Sequence, residues 1–377
     1  MSFMLPGASM SGLLETARRA RVAPPFVNPS RTPARAQPTS PFVEPHWDDL
    51  VRTDPRCGFF HGAAWPTVLR NTYGHVPYYF LQRERNQLEA LLPVLEVNSP
   101  FTGRRGVSLP FADECRPLTS GAATAETLLQ QAIEFGRSRK WRYFECRGIE
   151  RPAIPAPPSI SFARHRLELT GGEDRLFAGF DSSVRRAIRK AQKAGVQVEV
   201  ANTLDAIRVF YALHCQTRKR HGLPPQSFLF FRQIQEHILS RGQGFVILGR
   251  FEDRPIAAAV FFHLGSEAIY KYGASDSAFQ QLRANDLVMW EAIKWHWRAG
   301  HSSLHFGRTS TANEGLRRFK RGFGATEEAI HYFRFDYRSN SFVTSRDRAE
   351  GRLNAVFGLL PVRLLRMMGS VIYKHLS

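Results

Sequence analysis

The chain has 377 residues, 43% of them hydrophobic and 12% aromatic, which is enough for two buried cores and excludes wholesale disorder. Lys and Arg number 52 against 33 Asp and Glu, a formal charge of +19, so the surface should draw polyanions such as RNA, nucleotide-linked substrates or acidic lipid headgroups. No stretch approaches the ~18 uncharged apolar residues of a spanning helix, and Cys57, Cys115, Cys146 and Cys215 form no CxxC pair, so a cytoplasmic, reducing setting with free thiols is expected.

Residues 1–45 are rich in Pro, Ser, Ala and Arg and read as a disordered basic tail. Tyr78–Gln82 and Leu88–Val97 then read as neighbouring strands, Ala125–Arg139 has helical spacing, and Arg142–Cys146 reads as a further strand. The prolines of Arg151–Pro158 (RPAIPAPP) suit neither helix nor central strand, so a boundary is placed there, giving an N-terminal domain over 46–158 and a second over 159–340.

In the second half the spacing predicts helices over Ser182–Ala194, Leu204–Lys219 and Phe228–Ser240, with a strand at Val196–Val200. Phe245–Phe251, Ile256–Leu264 and Ala268–Ala274, punctuated by Gly, Asp and Pro, read as an antiparallel meander. Leu287, Trp290, Ile293 and Trp297 make one stripe of a helix over Asn285–Ala299, and a strand follows at Ser303–Phe306. Residues 341–377 read as an amphipathic helical tail. Its apolar run, Leu353–Leu376, is interrupted by Pro361, Arg363, Arg366 and Lys374, so docking on the protein body and peripheral contact with a membrane both stay open.

Several phrases resemble the FemAB-like branch of the GNAT acyltransferase superfamily, including its BioF2-like acetyltransferase domain. They are SSVRRAIRKAQKAGVQV (182–198), YKYGASD (270–276), NDLVMWEAIKWHWRAG (285–300) and HFGRTSTANEGLRRFKRGFG (305–324), with LLPVLEV (91–97) and GVSLPFADECRPL (106–118) in the first half. The resemblance implies an α/β (α+β) fold of two tandem GNAT-type domains, each a mixed, mostly antiparallel sheet flanked by helices, the first degenerate. It also implies transfer of an aminoacyl or related acyl group onto an amine, in peptidoglycan bridges or exopolysaccharide systems.

Arg185, Arg189 and Lys193 recur at i, i+4 and i+8 on one helix face, with Arg186 and Lys190 beside them, and such a face suits phosphates. A solvated basic face explains the pattern as well. The resemblance makes that face a contact for a diphosphate-linked acceptor. It likewise implies that Phe319 and Lys320 match a Phe-Lys pair near the transfer site, with Lys320 holding a phosphate or stabilising an oxyanion. Around them, Arg308, Asn313 and Glu314 are candidates for substrate binding or for shaping the loop, and Gly307 and Asn285 for contact with the acyl donor. His305 stands where the family often has an acid, which leaves any base role of that acid in doubt.

Strand alternation predicts that Tyr270 and Tyr272 share one face and Lys271 takes the other, so the tyrosines are either lining for an acyl channel, and catalytic candidates, or core. The turn Gln280–Asn285 (QQLRAN) lacks the glycine common where CoA pyrophosphate binds. That favours an aminoacyl-tRNA donor over acyl-CoA without excluding the latter, and no tightly bound cofactor is expected. P-loop, HExxH and GxSxG motifs do not occur, and His296, His301 and His305, four or five apart across a helix end, do not make a metal site from spacing.

The reading is an acyltransferase acting on an anionic acceptor, a nucleotide- or lipid-diphosphate-linked glycan precursor or exopolysaccharide intermediate, in the cytoplasm or at the inner face of the membrane. Two alternatives stay open: an acyl-CoA-dependent N-acetyltransferase of a small amine or amino sugar, and a catalytically silent module that binds RNA or membrane.

Overall fold

The computed structural model describes residues 37–84, 87–119, 121–149, 154, 156–344 and 357–376. The first half runs β1 (Gln37–Thr39), α1 (Trp47–Arg52), α2 (Ala64–Tyr73), β2 (Val76–Pro77), β3 (Tyr79–Glu84), β4 (Gln87–Leu92), β5 (Leu95–Ser99), β6 (Gly103–Val107), β7 (Leu118–Thr119), α3 (Ala122–Ser138) and β8 (Tyr143–Arg147). The second runs β9 (Ile160–Glu168), α4 (Glu173–Ala178), α5 (Ser182–Lys193), β10 (Gln197–Ala201), α6 (Leu204–Arg220), α7 (Phe228–His237), β11 (Gly244–Phe251), β12 (Arg254–Leu264), β13 (Glu267–Ser275), α8 (Ala284–Arg298), β14 (Ser303–Thr309), α9 (Glu314–Gly322), β15 (Thr326–Asp336), β16 (Ser341–Val343) and α10 (Val362–Ile372).

A mixed sheet in the order β10-β11-β12-β13-β14-β9-β15-β8-β6-β5-β2 carries both halves, and β1-β3-β4-β7 form a smaller one. The apolar run IAAAVFF of β12 is continuous because both faces of the sheet are covered. Ala257, Ala259 and Phe261 pack with α5 and α8, while Ala258, Val260 and Phe262 pack with α6 and α7. The second core also takes residues of the first half: the rings of Phe59 and Phe262 stack at 4.6 Å, and Trp65 meets Phe230 edge-on at 5.8 Å.

Several expectations are corrected here. Residues 37–45 do not belong to a tail, since β1 pairs with β3; residues 1–36 lie outside the described residues. The run Leu88–Val97 divides at Pro93, which has no amide for a ladder, and β4 and β5 enter different sheets. Strands β9 and β15 went unforeseen because their inner positions carry charge, satisfied by partners across the sheet: Arg164 opposes Glu328 and its guanidinium bonds that carboxylate at 2.8 Å.

Helix α10 docks on α6. Leu365 is fully buried, Tyr373 donates to the carbonyl of Pro224 and accepts from Arg218, and Gly369 lies so close to Pro225 that a side chain would collide with its carbonyl.

Strand β15 is tied to β8 through Glu145, whose carboxylate meets Arg147 at 2.7 Å and Arg334 at 2.5 Å. Burial alone would raise its pKa, but Arg147 and then Arg334 outweigh burial and hold it at about 2. The stabilisation is therefore present above the unfolded value near 4.5 and is lost as pH falls from there towards 2. Glu145→Gln, which strands two guanidinium groups, should lower stability by about 3 kcal/mol in urea unfolding at pH 7. It should also flatten the loss of stability between pH 4.5 and 3; an unchanged acid profile would remove Glu145 as its source.

Candidate active site

Strands β13 and β14 run parallel, yet their register holds only over Glu267–Ile269 against Ser303–His305. Beyond it they part, and the backbone that parallel pairing would satisfy faces a cleft. On the β14 side a register shift after His305 turns the chain through Gly307 at φ +69°, a left-handed conformation that favours glycine. A Cβ there would come within 3.1 Å of Asp113 Oδ2.

Lys320 closes this gap. It is carried by α9, for which Asn313 is the N-cap, its side-chain oxygen accepting from the Leu316 amide at 3.0 Å. Its side chain is buried, and Nζ donates to the carbonyls of Gly307 at 2.9 Å and Arg308 at 3.3 Å. Burial pushes its pKa down to about 8, with Asp113 opposing and Lys271 adding to the shift. Lys271 donates to Asp113 at 3.0 Å and to the carbonyl of Phe111 at 2.7 Å. Burial would raise the Asp113 pKa, but Lys271 and Arg308 outweigh it and keep the carboxylate ionised below its usual range. Asp113 comes from the first half and the two lysines from the second.

Beside this cluster Glu114 accepts from Arg164 at 2.8 and 2.9 Å and lies 3.6 Å from His305 Nε2. His305 Nδ1 accepts from the Gly307 amide, so the histidine braces the turn at Gly307 with its proton directed at Glu114. Arg308 lies against Phe162 and Tyr332 and donates to the Tyr332 hydroxyl. Glu314 pairs with Arg317 and Arg321 on the outside of α9.

The expected alternation of the tyrosines fails. Val260 pairs with Tyr272 and Phe261 with Tyr270, so Lys271 is the extra residue of a bulge. Tyr270 therefore packs on the α8 side against Phe261 and Phe306, and Tyr272 on the opposite side among Phe210, Phe230 and Phe231. Lys271 turns to Tyr272's side, with Nζ 5.4 Å from the Phe60 ring centre. The Tyr270 hydroxyl lies over Gly273, and burial raises its pKa to about 12.

At the start of α8 an open cavity of about 280 Å³ is lined by Asn285, Phe279, Arg283, Asp286 and Phe319 among others. Arg283 itself adopts φ 60°, supplying without glycine the left-handed residue that starts the helix. Burial raises the Asp286 pKa to about 6. Arg283 and Asp286 also line an adjoining depression whose α5 wall is Arg186 and Lys190. The face singled out from sequence is thus displaced: Arg185 bonds the Ala178 carbonyl, Arg189 lies over the Phe177 ring, and Lys193 is exposed at the helix end. Asp113, Glu114 and Arg283 escaped the sequence reading; the one signal for the acids was the phrase GVSLPFADECRPL.

Strands that part after brief parallel pairing, beside a helix whose N-terminus opens on a cavity, make an acyl-transfer cleft of the GNAT type, and the profile of the acetyltransferase (GNAT) domain family matches residues 178–321. Residues 178–321 thus carry a GNAT-type acetyltransferase domain, and the chain as a whole has a FemAB-like fold. Among solved structures, FemX superposes with a TM-score of 0.62 at 14% identity, covering 75% of this chain and 94% of its own. The C-terminal domain of a putative lysylphosphatidylglycerol synthetase from Agrobacterium fabrum superposes with a TM-score of 0.50 at 15% identity, covering 86% and 94%. No curated protein matches the chain significantly.

Lys320→Met leaves the Gly307 and Arg308 carbonyls without their donor and should cost about 2 kcal/mol in urea unfolding. Gly307→Ala should cost a similar amount through strain and pressure on Asp113. Wild-type stability in both variants would separate these residues from the architecture of the cleft.

Proposed function

We propose that the protein moves an aminoacyl or related acyl group from an activated donor to an amine on a cell-envelope glycan precursor or exopolysaccharide intermediate. The observation that carries this reading is the parted β13–β14 pair with Lys320, Lys271 and Asp113 at its floor. In it the acceptor amine attacks the acyl carbonyl, the C–N bond forms as the carbonyl becomes an oxyanion, and collapse expels the donor's thiolate or ribose oxygen with a proton. The two buried lysine ammonium groups supply positive potential where that oxyanion develops. Direct attack is favoured over a covalent acyl-enzyme, because all four cysteines are buried and burial raises each thiol's pKa, the reverse of an activated nucleophile.

The depression bounded by Arg186, Lys190 and Arg283 is a fitting seat for the diphosphate of a nucleotide- or lipid-linked acceptor, or for tRNA phosphates. FemX and the lysylphosphatidylglycerol synthetase domain make envelope chemistry the favoured context. A second reading, acyl-CoA transfer to a small amine or amino sugar, is favoured by the cavity at the α8 N-terminus, where backbone amides can take pyrophosphate. Contact with a membrane fits the outer side of α10, where Leu364, Met367 and Val371 are 41%, 67% and 55% exposed beside Arg363. Among the described residues no helix is long and apolar enough to cross a membrane.

The test is mass spectrometry of nucleotide- and lipid-linked glycan acceptors after incubation with charged tRNA or acyl-CoA. A mass gain with charged tRNA alone supports the aminoacyl reading and one with acyl-CoA alone the second. No gain with any combination would favour a silent binding module. With the productive pair, kcat/KM should fall as pH rises through about 8, where Lys320 loses its proton, and should drop about 100-fold in Lys320→Met. Lys320→Arg should move that fall to higher pH; an identical profile would exclude residue 320 as the titrating cation.

A further inference from the structure

Away from the cleft, three histidines converge at the far end of α8. His263 lies near the end of β12, His296 in the last turn of α8, and His301 just past its end. One ring nitrogen from each lies within 4.8 Å of the other two. His305, the third histidine of the local run, is elsewhere, beside Glu114, and His263 enters from a hairpin more than thirty residues upstream.

Packing alone does not account for the arrangement. His296 has no exposed surface, and neither of its ring nitrogens has a hydrogen-bond partner. A neutral imidazole carries one donor and one acceptor, so the fold leaves both unsatisfied at a site walled by Phe245 and Phe261. The other two rings are oriented. His263 Nε2 lies 2.8 Å from the Gly242 carbonyl, and His301 Nδ1 lies 3.3 Å from the carbonyl of His296. Each contact places the proton on that nitrogen and turns the other nitrogen inward as a lone pair; His263 Nδ1 has no partner. Ring nitrogens fixed by outer carbonyl acceptors are the arrangement that prepares histidine to bind a metal.

We propose that His263, His296 and His301 bind one divalent transition-metal ion of the zinc class, with an open fourth position for water. Imidazole ligands suit zinc, copper and nickel, and exclude calcium or magnesium as the favoured ion. Tetrahedral bonds of 2.0–2.1 Å require nitrogen separations of about 3.3 Å, so small ring rotations complete the site from its present spacing. His263 and His301 are part-exposed and give the ion a path. Bound there, it would fasten the β12–β13 hairpin and the end of α8 to the start of β14, where the two parted strands are still paired.

The test uses untagged full-length protein, stripped with chelator and titrated with Co²⁺. One equivalent should give visible d–d absorption of a four-coordinate site, lost on addition of Zn²⁺, and Zn²⁺ should raise the melting temperature by about 5 °C. His263→Gln and His301→Gln, at the part-exposed positions, should weaken Co²⁺ binding at least 100-fold while keeping the wild-type circular dichroism. Failure of Co²⁺ to bind at 100 µM, or binding of equal affinity in both part-exposed variants, would overturn the site. These readouts do not involve acyl transfer, so they stand apart from the function proposed above.

Discussion

The cleft depends on one requirement of backbone chemistry: where β13 and β14 part, the carbonyls turned out of the sheet need donors that are not strands. Lys320 meets it for β14, giving Nζ to Gly307 and Arg308, and Lys271 performs a related task for the loop at Phe111. Water would satisfy the same carbonyls but would also quench the field within the cleft. Buried ammonium groups satisfy them and add positive charge there. The same contacts thus hold the strands apart and set the electrostatics of the opening.

Holding two lysines in the interior requires a counter-charge, and it arrives from the other half of the chain. Asp113 and Glu114 occupy the segment between β6 and β7, which reaches across to Lys271 and, through Arg164 and His305, to β9 and β14. A further step along the sheet, Glu145 takes Arg147 and Arg334. Acids of the first half are therefore paired with bases of the second all along the junction, with Arg147 of the first half sharing Glu145. Removing either half would leave buried charge uncompensated, so the halves are joined by electrostatics as well as by the ring contacts of Phe59 and Trp65.

Helices α5 to α8 and the meander of β11 to β13 were legible because each obeys a single period and is covered on a known face. Legibility ended where charge or an extra residue broke the period. Arg164, His165 and Arg166 hide β9, since a charged inner position looks like surface until its partner is known. The bulge at Lys271 reverses the sides of Tyr270 and Tyr272, and nothing in YKYGASD announces it. Lys320 was legible through a family phrase, but its partners Gly307 and Asp113 lie in segments that only the folded sheet brings together. Among the histidines, spacing along the chain gave no metal site, because a strand hairpin sets the distance from His263 to the pair at the end of α8.

The charge of the whole chain takes on a different meaning once its acids are located. Asp113, Glu114, Glu145 and Glu96 are occupied by Lys271 and arginines at or beneath the sheet, so these carboxylates contribute little field at the surface. By contrast, among the described residues no ion pair involves the five bases of α5, two of which border the depression that continues to Arg283 at the start of α8. The excess of +19 is consequently not spread evenly; part of it stands uncancelled along the approach to the cleft. A neutral small molecule would gain nothing from such an approach, whereas any ligand that carries phosphates would be drawn along it. Screening by salt should weaken that attraction without altering the chemistry at Lys320, which lies beneath it and is shielded from solvent.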